Sequence, residues 1–112
     1  MTTTPEWQFK LEKELETANA ARLRGNEGMA RVCARRAAGM AVGEYLTRQG
    51  YEVHTPSVIA RLRFLLTLPE LSSETRQVAE HFLIHLDEDH MMPIDADLVA
   101  EARWLAYALL GA

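Results

Sequence analysis

Apolar residues recur along this chain at spacings of three and four, and no segment alternates with period two. Trp7, Leu11, Leu15 and Ala18 share one face of a first helix. Thr4-Pro5-Glu6 starts it, with Thr as N-cap, proline at the first helical position and an acid in the first turn. Gly25 ends it as a left-handed cap, and Asn26 caps a second helix. That helix runs to about Arg48 and ends at Gly50. Ala30, Ala34, Ala37, Ala38 and Ala41 give it a small-residue stripe. Gly39 and Gly43 lower its intrinsic propensity, which makes sense where a neighbouring backbone comes close. This is expected to be the central helix, crowded on more than one side.

Thr55-Pro56-Ser57 repeats the starting signal for a third helix holding Ile59, Leu62, Leu65 and Leu66, which Pro69 stops. Ser72 or Ser73 caps a fourth helix over about 74–88, and His90-Met91-Met92-Pro93 is a break. Asp95 or Asp97 caps a last helix with the stripe Leu98, Ala102, Leu105 and Leu109. The expectation is one domain over residues 1–112, all-α, an up-and-down bundle of four to five helices with sequential helices antiparallel. Trp104 lies about 120° from the centre of the last stripe. With Tyr107 it either caps the bundle edge or sits in a homodimer interface, the second being preferred.

Composition narrows the class. Hydrophobic content of 48% and charged content of 25% are those of an ordinary globular protein. No apolar run has the length of a membrane span, so no membrane partner is expected. The opening Met-Thr-Thr-Thr-Pro-Glu lacks a signal-peptide core. The single cysteine, Cys33, has no internal disulfide partner and is read as a small packed side chain in a cytoplasmic protein. The net charge of −4 argues against a dedicated nucleic-acid binder, but the charge is unevenly spread. Residues 22–63 carry eight arginines against three acids, and residues 64–112 carry two arginines against nine acids. The basic middle pairs with the acidic end inside the bundle or across a dimer, or else offers guanidinium groups to phosphates. Arg31 and Arg35, four apart on the second helix, are the phosphate candidates; their alternative is pairing with Glu27 and the acidic end.

Residues 73–90 concentrate the remaining chemistry, with Arg76, His81, His85 and His90. His81 and His85 are four apart, and Glu88 lies seven beyond His81. On one helix face these could hold a transition metal. The pattern matches no metalloprotease or di-iron signature, and charged residues on a polar helix face are commonly just solvated. No cofactor is otherwise implied. His54, before the third helix, reads as a turn residue.

The layout resembles the HEPN family of small helical bundles, which often accompany minimal nucleotidyltransferases. The resemblance rests on Arg22-Leu23-Arg24-Gly25-Asn26, on the Ala-rich run Met29 to Ala38, on the turn Gly50-Tyr51-Glu52-Val53-His54-Thr55, on Arg76 with His81, and on Met92-Pro93 before a last helix. It implies an accessory module that docks to a nucleotidyltransferase, a nucleotide or a nucleic acid without catalysis of its own. In ribonuclease members an arginine and a histidine at this spacing resemble a metal-independent RNA-cleaving site. Arg76 would then hold the scissile phosphate and His81 the proton, with two copies meeting across a dimer. Whether the chain is an enzyme stays open between these readings.

Overall fold

In a computed structural model, which describes residues 3–84 and 96–111, the chain forms five helices and, among the described residues, no strand. They are α1 (Glu6–Leu23), α2 (Glu27–Arg48), α3 (Val58–Leu65), α4 (Ser73–His81) and α5 (Leu98–Leu110). The expected all-α bundle is therefore what forms.

Local chemistry sets most of the helix ends. Asn26, Ser57, Ser72 and Asp97 each accept backbone N–H groups in the first turn of α2, α3, α4 and α5. Helix α1 differs: Pro5 occupies its cap position and no side chain caps it. Gly25 and Gly50 adopt left-handed φ of 78° and 82°. Around Gly25, Asn26 N donates to Ala21 O at 2.8 Å and Gly25 N to Arg22 O at 2.9 Å. This is the paired closure of a Schellman motif.

Helix α2 is the centre. Helices α1, α3 and α5 all pack on it, and its five stripe alanines are fully buried. Small residues let three helices approach one axis. Leu15, Leu46, Leu62, Leu65, Phe82, Leu98 and Leu105 fill the space between them. Arg48, at the end of α2, lies 5.4 Å over the ring of Trp7 at the start of α1, so these two helices run antiparallel. Arg22 and Glu12 of α1 meet Asp97 and Arg103 of α5, which makes α5 antiparallel to α1 as well.

The glycines of α2 admit side chains rather than a backbone. A Cβ at Gly39 would lie 2.6 Å from a methyl of Val58, and one at Gly43 would lie 2.7 Å from Arg61 Nη1. Helix α3 crosses α2 on these two seats.

Helix α4 is shorter than the spacing predicts. It ends at His81, not near residue 88. Phe82, Leu83 and Ile84 donate to carbonyls three residues back, which tightens the chain and sends Phe82 into the core at 1% exposure. Burial of that ring overrides the continuing helical pattern. No helix among the described residues is long and apolar enough to cross a membrane.

Candidate functional site

Arg76 and His81 stand on α4 five residues apart, which turns them by about 140° on a regular helix. The structure gives them different partners. Arg76 is half-buried and donates from Nη1 to Leu66 O and from Nη2 to Leu68 O, the latter at 2.9 Å. These carbonyls follow the end of α3, where no intrahelical donor remains. The guanidinium thus caps one helix from the next. His81 instead faces α5, with Nδ1 at 2.8 Å and 3.0 Å from the two carboxylate oxygens of Glu101. Opposite a carboxylate, Nδ1 carries the proton and donates. Within one chain, then, the guanidinium and the imidazole serve separate neighbours, and two of the five Arg76 donors are already committed to carbonyls.

Arg31 and Arg35 are brought side by side, both half-buried on α2. Burial, and then the positive charge of Arg31, push the Arg35 guanidinium below its usual range. Arg35 Nη2 reaches Ile84 O at 3.4 Å. Glu27, expected to pair with these arginines, is bound by Arg22 at 2.7 Å and 3.1 Å and also feels the charge of Arg31. Arg22 also holds Asp97 at 3.0 Å and 3.3 Å. These bonds, Glu27's first, hold Arg22 above the ordinary arginine range. The sequence pattern does not reveal this Arg22 hub, because its two acids lie 5 and 75 residues away.

Of the metal strip expected at His81, His85 and Glu88, only His81 is described; it is the last residue of α4. His85, Glu88 and the break at His90–Pro93 lie outside the described residues. Among the described residues no group of three or more His, Cys, Asp or Glu side chains converges. His54 is exposed in the irregular connection between α2 and α3. Cys33 is buried as expected, and burial raises its thiol pKa before the nearby Glu14 carboxylate raises it further.

Grooves flank the bundle, and two of them adjoin residues already named. One, of about 410 Å³, lies between α4 and α5 and has Trp104, Val78 and Glu101 among its walls. Trp104 is half-buried against the core, and Tyr107 is 67% exposed. The other, of about 470 Å³, lies where α1, α2 and α3 meet, with Trp7, Met40 and Arg61 among its walls. Arg61 escapes a reading of the sequence. Its signal was there in Gly39 and Gly43 of α2, but a glycine announces a close approach without naming what approaches.

Comparison with known proteins finds no match to this chain, whether among protein-family models, curated proteins or solved structures.

Proposed function

We propose that this chain is a non-catalytic helical module that docks to a nucleotide or nucleic acid, in the manner of the HEPN-like bundles that its layout resembles. One observation carries the non-catalytic half. Arg76, the residue that a ribonuclease reading needs for the phosphate, commits two of its donors to the carbonyls of Leu66 and Leu68. A guanidinium used this way stabilises the α3–α4 corner, and it is turned about 140° around the helix from His81, away from a phosphate that the two would share. The docking half draws on the uneven charge, with eight arginines in residues 22–63 and Arg31 beside Arg35 on α2. A nucleotidyltransferase is the protein partner of choice, and the exposed Tyr107 on α5 offers a surface for a second copy of this chain.

The experiment has two arms. Purified protein is incubated with single-stranded and structured RNA in the presence of chelator, and the products are resolved on a gel. No cleavage is expected. Cleavage lost in both Arg76→Ala and His81→Ala would replace this reading with the ribonuclease one. In the second arm, binding of the same RNA and of nucleoside monophosphates is titrated; absence of binding to all of them ends the docking reading. Sedimentation of the protein at micromolar concentration tests the dimer.

A further inference from the structure

The groove at the junction of α1, α2 and α3 has a charge balance that the fold alone does not require. Four charged side chains line it. Glu6 is paired with Lys10 at 2.9 Å along α1, and Glu44 with Arg48 at 3.2 Å along α2. The carboxylates are thereby compensated by neighbours on their own helices. Arg61 is different. It is half-buried, and among the described residues no carboxylate lies within ion-pair distance of it.

The Arg61 guanidinium is also fixed. Nε donates to Thr55 O at 2.9 Å and Nη1 to Gly39 O at 3.1 Å. Gly43 makes room for it, since a Cβ there would lie 2.7 Å from Nη1. A glycine inside a helix costs stability, and here the vacancy seats a cation. The two carbonyls take one proton from Nε and one from Nη1. Both Nη2 protons and the second Nη1 proton take no part in these bonds and remain for an acceptor such as a phosphate or a carboxylate. Beside it, Trp7 and Met40 supply a flat and an adaptable apolar wall, and Arg48 over the indole pins the ring. A volume of about 470 Å³ is in the range of small-molecule sites.

We propose that this groove binds a small organic anion, a phosphate or carboxylate carried on a flat apolar body. Arg61 holds the charge, and Trp7 with Met40 holds the body. The inference rests on the docking reading and deepens it by giving the nucleotide a place: a nucleoside monophosphate meets both descriptions.

The test uses Trp104→Phe protein, in which Trp7 is the remaining indole. Its fluorescence is followed against adenosine 5′-monophosphate, 2-naphthoate, inorganic phosphate and uncharged adenosine. The proposal expects saturable, submillimolar binding of the nucleotide or the aromatic carboxylate. Adenosine and inorganic phosphate should each bind at least about tenfold more weakly, because each lacks one half of the ligand. Arg61→Gln should abolish binding. Because that variant also loosens the Thr55 clamp, Thr47→Glu is the control: Thr47 is an exposed groove residue, and the added carboxylate should weaken binding about tenfold without touching the core. No saturable response up to millimolar ligand overturns the proposal, as does unchanged affinity in both Arg61→Gln and Thr47→Glu. If affinity survives those two variants but falls in Arg31→Gln/Arg35→Gln, the docking reading stands and this site falls. If naphthoate binds through Arg61 and the nucleotide does not, this site stands and the nucleotide reading falls.

Discussion

Arg22 grips Asp97 across 75 residues of sequence, with its Nη2 at 3.0 Å from the same oxygen that caps the first turn of α5. One carboxylate therefore closes a helix N-terminus and ties it to the end of α1, while Glu27 holds the other side of the guanidinium. Asp97→Ala removes both roles and is expected to cost about 1–2 kcal/mol in chemical denaturation. Asp97→Asn, which can still cap, should cost clearly less. Equal losses in the two variants would mean that capping contributes nothing here.

The same hub predicts acid sensitivity. The Arg22 guanidinium, bonded to both groups, holds the carboxyls of Asp97 and Glu27 below their ordinary range. A carboxyl lowered by folding binds its proton more readily in the unfolded chain. Its stabilisation is fully present above the unfolded value of about 4 and is lost as pH falls through the lower folded one. Unfolding free energy measured from pH 6 downward should therefore drop below about pH 4. Arg22→Gln should be less stable at neutral pH and show a shallower acid drop. An identical slope in that variant would remove Arg22 as its cause.

Arg76 is predicted to be a stability residue. Arg76→Ala removes the side-chain donor of the Leu66 carbonyl and leaves Leu68 O with only the Leu71 N–H, and should cost about 1–3 kcal/mol by urea titration. A wild-type midpoint in Arg76→Ala would mean that the contact to α3 carries no weight.

The seats on α2 can be probed with single methyl groups. Gly39→Ala places its Cβ against Val58 and should destabilise by about 1–3 kcal/mol. Val58→Ala in the same chain should restore much of that loss. Gly28→Ala meets nothing closer than 3.8 Å and should be neutral or stabilising by up to about 1 kcal/mol. A double variant no more stable than Gly39→Ala alone would show that Val58 is not what the methyl meets.

Cys33 should be silent in the native protein. It is 1% exposed and its pKa is raised, first by burial, so little reactive thiolate reaches solvent. An aromatic disulfide reagent should release colour slowly in buffer and at once in denaturant. Fast stoichiometric release without denaturant would contradict the burial.

The starts of α2, α4 and α5 were legible because capping is local, whereas the Thr-Pro signals at Thr4 and Thr55 misplaced the caps of α1 and α3, which are Pro5 and Ser57. Asn26, Ser72 and Asp97 act within three residues of themselves, so composition alone points to them. The alanine stripe was legible for the same reason, since one face of one helix carries it. What was hidden depends on distant partners. Helix α4 stops at His81 because Phe82 finds a core built by other helices. Arg76 looked like chemistry because its partners are carbonyls, which every residue has and no sequence motif marks. Gly43 and Arg61 are 18 positions apart, and only the crossing of α2 and α3 makes them neighbours.

The two notches on α2 also set the phase of that crossing. One receives a branched hydrocarbon and the other a cation, so they are not interchangeable. Sliding α3 by one helical turn, about 5 Å, would push a charge toward a dry slot and strand the valine methyls over open solvent. The joint is keyed against creep, and with it the wall of the mouth beside it.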